Sequence, residues 1–170
     1  MEESVRDTES HAAMREERQE EQRGDSGADG FLAKILETFP GKRQDIRTYS
    51  PLALAYIGDA VYDLIIRTVV VGRANRPVNN LHRITVRYVS ATAQAAIVQA
   101  LMESFTEEEQ SIYRRGKNSK PHTTAKNASL ADYLKATGFE AVIGYLYLTG
   151  RMDRALELVQ KGLELAGMEI

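Results

Sequence analysis

Two long and almost entirely apolar segments limit what this chain can fold into. They run LALAYIGDAVYDLIIRTVVV from residue 52 to 71 and FEAVIGYLYL from residue 139 to 148. Neither segment alternates apolar and polar residues, and the first is far longer than an ordinary strand, so both are predicted to be buried helices. Asp59, Asp63 and Arg67 interrupt the first segment, which therefore does not predict a membrane span.

Capping signals divide the rest of the chain into further helices. The predicted starts are Ser50-Pro51, Asn79 or Asn80, the capping box Thr106-Glu109, and Asn127 or Ser129. The predicted ends are Pro40-Gly41, Gly72, Ser104, Arg115 and Gly150, after which a last amphipathic helix follows. Because no segment has a strand pattern and no internal repeat occurs, the predicted fold class is all-α.

Residues 1–30 differ in composition from the rest of the chain. They hold ten acids, four arginines and few apolar residues, so we predict a disordered charged tail. Residues 31–170 hold fourteen acids and eighteen lysines and arginines, and are predicted to form one mildly basic domain that suits an anionic partner. The N-terminal segment has no apolar stretch, so no targeting peptide is predicted and a cytoplasmic location is expected.

The residue types present argue against two classes of site. The chain has no cysteine, so disulfides and thiolate metal sites are excluded. Its histidines, His11, His82 and His122, lie far apart, which argues against a helical His pair that binds zinc.

Each apolar segment carries one acid close to a glycine, Asp59 in the first and Glu140 in the second. An ionised carboxylate buried alone is costly, so it must be paired, protonated or bound to a metal. The nearest basic residues, Arg67 and Lys135, are more than a helical turn away along the chain. Two such acids could converge on Mg²⁺, which prefers carboxylate, water and phosphate oxygens and serves phosphodiester hydrolysis.

The residues by themselves support a structural role for these acids about equally well. A lone acid in an apolar helix often accepts a hydrogen bond at a helix crossing, and the neighbouring glycines suit close helix packing. Asp63, four residues after Asp59, could be a third ligand, a solvated acid or the partner of Arg67. We favour the pair with Arg67, because that residue is again four positions further on.

A basic, polar segment lies before the second acidic helix and is predicted to be a loop. Its spaced basic and amide side chains suit phosphate and ribose contacts, by which proteins mainly recognise duplex RNA. A second basic set contains Arg73, Arg76, Arg83 and Arg87, and either set could instead be solvated surface. The candidate RNA-binding residues of the loop are Arg114, Arg115, Lys117, Asn118, Lys120, Lys126 and Asn127.

These motifs resemble those of the ribonuclease III family. The run LAYIGDAVYDL is similar to the family's signature helix, a Glu-Phe-Leu-Gly-Asp-Ala-Val-like sequence with two catalytic acids. The run FEAVIGYLYLTG resembles the family's second acidic helix, and YVSATAQA resembles the Leu-Val-Ser/Asn helix between the two. The resemblance covers roughly residues 50–150. Since no double-stranded-RNA-binding domain is expected to follow, the chain is most similar to the Mini-III branch.

The resemblance assigns roles to two of these residues. Asp59 matches the signature aspartate and Glu140 the second-helix glutamate, which implies that both are catalytic and bind Mg²⁺. The family's other two acids are replaced by Ala55 and Thr137. Asp132 cannot take the place of the acid missing at position 137, because it lies too far away along the helix. The implied site therefore has two protein carboxylates per subunit.

The implied activity is Mg²⁺-dependent endonucleolytic cleavage of double-stranded RNA in maturation of the 23S ribosomal RNA precursor. The resemblance also implies a homodimer with two sites across one duplex-binding face, and it leaves open a ribosomal protein as a further partner. The absence of the family's acids at positions 55 and 137, which are Ala55 and Thr137 here, favours an alternative function. The chain would then be a catalytically weak or inactive RNA-binding or ribosome-assembly member of the same fold. A helical interaction protein without an RNA role would leave the basic segment and the two acids unexplained.

Overall fold

The structure is a computed structural model that describes residues 27–119 and 128–170. The described residues divide into two compact units, one that ends at residue 41 and one that begins at residue 42. The described part of the first unit contains one helix, α1 (Gly27–Thr38), which begins inside the segment that the sequence analysis assigned to the tail. Residues 1–26 of that tail lie outside the described residues.

The described part of the second unit is built from six α-helices. They are α2 (Pro51–Arg73), α3 (Val78–Val89), α4 (Ala91–Leu101), α5 (Glu107–Lys117), α6 (Leu130–Leu148) and α7 (Met152–Leu165), with short 3₁₀ turns at Ile46–Thr48 and Met102–Ser104. Residues 27–119 and 128–170 contain no β-strand, which confirms the predicted all-α fold class. No helix in those two ranges combines the length and apolarity needed to cross a membrane.

Helices α2 and α6 are the central pair of this unit. They pack against each other more extensively than any other described pair of helices, and α6 also contacts α4, α5 and α7. At their interface the rings of Tyr62 and Phe139 meet edge to face, with centroids 5.4 Å apart. Complete burial of such side chains stabilises a fold by roughly 1.5–3 kcal/mol each. The fully buried side chains include Tyr62, Ile66, Ile97, Leu101, Phe139, Ile143, Leu146 and Leu158.

Several predicted helix starts are confirmed by side-chain caps. The hydroxyl groups of Ser50 and Ser129 each accept a hydrogen bond of 3.1 Å from the N–H three residues further on. Thr106 and Glu109 form the reciprocal bonds of a capping box, at 3.2 and 2.9 Å. These caps satisfy N–H groups that a helix start would otherwise leave without partners.

The predicted single helix from Asn79 or Asn80 to Ser104 is wrong, because the chain bends at Ser90. Ser90 has extended backbone angles, and its hydroxyl accepts a 3.3 Å hydrogen bond from the N–H of Ala93. The side chain thus caps a new helix, α4, while α3 begins directly after Pro77 rather than at a capping asparagine. Because the sequence stays largely apolar across the bend, helical periodicity gave no sign of it.

A buried ion pair anchors α5 to α7. Glu109 is 1% exposed and accepts hydrogen bonds of 2.9 and 3.0 Å from the guanidinium of Arg154. Arg154 also donates to the backbone oxygen of Ser104 at 2.8 Å. The first turn of α5 is thereby fixed, and the helix then runs toward the basic residues at its other end.

Candidate active site

Helices α2 and α6 cross with their backbones in direct contact beside both acids. A Cβ atom on Gly58 would lie 1.7 Å from the backbone oxygen of Glu140. A Cβ atom on Gly144 would lie 2.0 Å from the backbone oxygen of Leu54. No side chain fits in either gap, so the crossing requires glycine at both positions. Since Asp59 follows Gly58 directly, the crossing also determines how close Asp59 comes to Glu140.

The structure brings Asp59 and Glu140 together in one cleft of about 420 Å³. Every lining residue belongs to α2 or α6, so the cleft is a product of the helix crossing. Ala55 and Thr137, at the positions of the two missing family acids, lie in its wall. The other lining residues are Leu52, Tyr56, Ile57, Ala60 and Tyr133.

The expectation that both acids are buried is wrong for Asp59. Glu140 is half-buried in the cleft, whereas Asp59 is exposed at its edge. Asp59 is exposed because the face of α2 that carries it, together with Tyr56 and Ala60, is not covered by another helix of the described unit. The two acids therefore differ in environment although they share one cleft.

The two carboxyl groups have elevated pKa values. Burial, and then the negative charge of Asp59, raises the pKa of Glu140 to about 8, against the opposing effect of a hydrogen bond from Gln94. Partial desolvation of the carboxyl group at the edge of the cleft, followed by the charge of Asp63, raises the pKa of Asp59. Within the described ranges neither acid forms an ion pair with a basic side chain. A cation bound between the two carboxyl groups would lower both pKa values, because a nearby positive charge favours the ionised form.

The donor set fits a hard divalent cation. Neither oxygen of Asp59 nor Oε2 of Glu140 accepts a hydrogen bond from a described residue, so these oxygens are available as ligands. The described residues contain no group of three or more acids and histidines that could hold a metal by themselves. Two carboxylates with open positions suit Mg²⁺, which keeps several water ligands and completes its shell with substrate phosphate.

Gln94, on α4, is a site residue that the sequence analysis missed. Its side chain is buried, and Nε2 donates to Oε1 of Glu140 at 3.0 Å and to the backbone oxygen of Val89 at 3.0 Å. The sequence did contain an indication of this role, because Gln94 is a large polar residue placed between alanines in the run YVSATAQA. Tyr56 and Tyr133 also line the cleft and were not predicted as site residues, and Tyr56 is 83% exposed.

The favoured interpretation of Asp63 is confirmed. Its carboxylate accepts a hydrogen bond from Nε of Arg67, one helical turn further along α2. Asp63 is not among the residues that line the cleft. The structure thus separates this acid, which has a cationic partner, from the two acids of the cleft.

The predicted basic loop is partly helical. Helix α5 continues to Lys117, so Arg114, Arg115 and Lys117 lie in its last turn and Asn118 is its C-cap. A Cβ on Gly116 would lie 2.9 Å from Cα of Gly138 and 3.2 Å from the backbone oxygen of Thr137, so this turn packs beside the cleft wall. Lys120, Lys126 and Asn127 lie outside the described residues. The second basic set, Arg73, Arg76, Arg83 and Arg87, is exposed but does not line the cleft.

The chain is similar in sequence and in fold to known proteins. The model of the ribonuclease III domain matches residues 52–151. A Mini-ribonuclease 3 of Thermoanaerobacter sp. (strain X514) is 47% identical over 72% of this chain and 86% of its own length. A Mini-ribonuclease 3 of Symbiobacterium thermophilum is 50% identical over 66% of this chain and 87% of its own. A crystal structure of a Fusobacterium nucleatum protein superposes with a TM-score of 0.64 and 30% identity, over 69% of this chain and 94% of that one.

The chain therefore belongs to the ribonuclease III family. Its similarity to several proteins named Mini-ribonuclease 3 assigns it, within that family, to the Mini-III branch, as the motifs had indicated. The protein is accordingly an endoribonuclease of the ribonuclease III type.

Proposed function

We propose that this endoribonuclease cleaves double-stranded RNA in a Mg²⁺-dependent reaction, and that its substrate is the 23S ribosomal RNA precursor in the cytoplasm. The observation that carries the proposal is the cleft in which Asp59 and Glu140 meet without a basic partner among the described residues. The similarity to proteins named Mini-ribonuclease 3 supports RNA as the substrate, and the choice of the 23S precursor rests on the resemblance of the motifs to the Mini-III branch.

The chain's own residues have distinct tasks in this mechanism. Asp59 and Glu140 hold the cation, which when bound supplies an activated water and stabilises the leaving oxygen of the phosphodiester. The basic last turn of α5 packs beside the cleft wall and holds the RNA backbone there through its phosphates. Such contacts do not read bases, which suits recognition of a duplex by its shape.

We also propose that the enzyme is a homodimer formed through an exposed apolar stripe of α2. The stripe contains Tyr56, Leu64 and Val71, which are 83%, 58% and 57% exposed. Their spacing of eight and seven residues places them on one side of the helix. A second copy is a suitable partner, since a two-fold interface pairs the same patch from both subunits. Tyr56 belongs to the stripe and to the cleft, so the partner would cover the edge where Asp59 is exposed.

A charge in this stripe is expected to prevent dimerisation. The Leu64→Glu substitution would bury an unpaired carboxylate at the interface, so the mass in solution should fall from twice the chain mass to the 19.0 kDa of one chain. Sedimentation equilibrium measures this mass directly. Leu156→Glu is the control, because Leu156 is an exposed leucine on α7, and that variant should remain dimeric. An unchanged mass for Leu64→Glu would contradict the proposed interface.

Asp59→Asn is expected to abolish metal-dependent cleavage while leaving RNA binding intact. The amide keeps the size of the side chain but removes the charge that holds the cation, so cleavage should fall more than about 100-fold. The measurement is cutting of a duplex RNA with Mg²⁺ and with EDTA, together with binding in a gel-shift assay. Asp63→Asn is the matched control on the same helix and should cut normally, since Asp63 is paired with Arg67.

The same assay separates the competing functions. Binding of duplex RNA by the unmodified protein without any cutting would favour the inactive RNA-binding alternative. That alternative is also favoured by Ala55 and Thr137, which stand where the family has acids. Absence of both binding and cutting would favour an interaction protein without an RNA role. Cutting that persists in EDTA would contradict the metal-dependent mechanism.

Loss of a basic residue at the end of α5 is expected to weaken RNA binding by a similar factor for all sequences. Lys117→Ala, and likewise Lys120→Ala, should lower the slope of log affinity against log salt by about 1, because one phosphate contact is lost. The measurement is a titration of duplex RNA at several salt concentrations. Lys161→Ala, an exposed lysine on α7, should leave the slope unchanged. An unchanged slope for Lys117→Ala would show that this turn is not a contact.

A further inference from the structure

The amide of Gln94 connects the bend between α3 and α4 to the carboxylate of Glu140. Its side chain is 2% exposed, and its single nitrogen Nε2 makes both contacts, to Val89 and to Glu140. An amide nitrogen carries two hydrogens, so each acceptor receives one. All donor capacity of this side chain is therefore used at the active-site cleft.

Only one orientation of this amide is compatible with its surroundings. The backbone oxygen of Val89 can only accept, so the nitrogen of the amide must face it. The amide oxygen of Gln94 is left buried, with no hydrogen-bond partner among the described residues. An unsatisfied buried acceptor costs free energy, so the contacts on the nitrogen side must compensate for it. A flipped amide would bring its oxygen against the backbone oxygen of Val89 and would lose the hydrogen bond to it.

The hydrogen bond from Gln94 makes the two oxygens of Glu140 unequal. Oε1 receives the amide N–H at 3.0 Å, whereas Oε2 accepts no hydrogen bond from a described residue. The carboxylate can therefore rotate little, and Oε2 is the oxygen left for a ligand. Ala55 and Thr137 cannot fix Glu140 as neighbouring acids would, because one has no polar group and the hydroxyl of the other donates to the backbone oxygen of Tyr133 at 3.0 Å.

We infer that Gln94 is a positioning residue of the active site, which orients Glu140 so that Oε2 binds the divalent cation. This inference rests on the proposed metal-dependent cleavage. In a site with only two protein carboxylates, each one contributes a large share of the metal affinity. Loss of a group that orients a metal ligand typically weakens metal binding or activity by about 10- to 100-fold.

The test compares Gln94→Leu with Ser90→Ala in the full-length protein. Ser90→Ala is a matched control, since it removes the cap of α4 at the same bend but contacts neither acid. Mn²⁺ binding to the RNA-free protein is measured by electron paramagnetic resonance, and kcat and KM are measured on duplex RNA. We expect Gln94→Leu to bind Mn²⁺ about 10- to 100-fold more weakly and to lower kcat, with KM for the RNA unchanged. Ser90→Ala should lower the Tm but leave Mn²⁺ affinity and kcat as they are.

The possible outcomes distinguish this inference from the proposed function. Wild-type Mn²⁺ affinity and kcat in Gln94→Leu would overturn the role of Gln94 and leave the proposed function intact. Equal losses in Gln94→Leu and Ser90→Ala would also overturn it, because only the stability of the bend would then matter. A wild-type protein that neither binds Mn²⁺ nor cuts duplex RNA would overturn both. If Gln94→Leu does not fold, Gln94→Met fills the same volume with a flexible side chain and replaces it in the comparison.

Discussion

Gly58→Ala is expected to be the most damaging single-methyl substitution in this protein. The added Cβ would lie 1.7 Å from the backbone oxygen of Glu140, where ordinary contacts begin at 3.4 Å. Because the obstacle is backbone, no rotamer change relieves the clash, and α2 and α6 must move apart by more than an ångström. We expect a loss of at least about 3 kcal/mol in the free energy of unfolding, and a fall in Tm on the order of 10 °C.

A second glycine in the same helix provides the control for this experiment. A Cβ on Gly72 would meet no atom within 4 Å, so Gly72→Ala should be tolerated. It should even stabilise the protein by up to about 1 kcal/mol, since alanine favours helix more than glycine does. Thermal unfolding of both variants, followed by circular dichroism, makes the comparison. A Gly58→Ala protein with normal Tm and normal cleavage would contradict the close crossing on which the site depends.

Glu140→Gln is expected to abolish cleavage and at the same time to stabilise the metal-free protein at alkaline pH. Cleavage should fall by more than about 100-fold, because one carboxylate alone is left to hold the cation. The gain in stability follows from the pKa of Glu140, which is raised from 4.5 to about 8 in the folded protein. A group retained despite its cost to folding is typical of functional sites.

The direction of the pH dependence follows from proton binding. Between pH 4.5 and about 8 the folded state holds the Glu140 proton while the unfolded state has released it, so the free energy of unfolding falls as pH rises. The substituted amide has no proton to lose and does not contribute to this fall. The variant should therefore match the wild type near pH 4.5 and exceed it by on the order of 1–3 kcal/mol above pH 8.

The measurement is Tm in EDTA across this pH range, for the wild type, Glu140→Gln and the control Glu164→Gln. Glu164 is an exposed acid on α7, so its substitution should not change the pH profile. Saturating Mg²⁺ should raise the Tm of the wild type and not that of Glu140→Gln, since only the former binds the cation well. Parallel pH profiles for wild type and Glu140→Gln would show that Glu140 titrates normally.

These expectations connect the close helix crossing with catalysis. The glycines at positions 58 and 144 allow the two backbones to touch, and that contact places Asp59 and Glu140 in one cleft. The same closeness raises the pKa of Glu140 through burial and the charge of Asp59. The site that we propose for the cation is thus, in its metal-free form, a local source of instability.

Most of the helices, several of their caps and the two acids could be predicted from the amino-acid sequence. Periodicity and capping are local properties, so a window of a few residues was enough to predict α2 from Ser50-Pro51 and α5 from its capping box. The two acids stood out because an ionisable group in an apolar helix is energetically costly. The motifs that flank them resemble those of a family in which such acids are catalytic.

The contacts between distant groups could not be predicted from the sequence. Gly58 and Glu140 are about eighty positions apart in the chain, and no local pattern shows that one backbone touches the other. The hydroxyl of Ser90 caps a new helix where the sequence predicted a continuous one, and Gln94 of that helix donates a hydrogen bond to Glu140, 46 positions further along the chain. The exposure of Asp59 likewise depends on which face of α2 its neighbours leave uncovered. Apart from the local cap at Ser90, these features depend on how distant segments of the chain pack against each other.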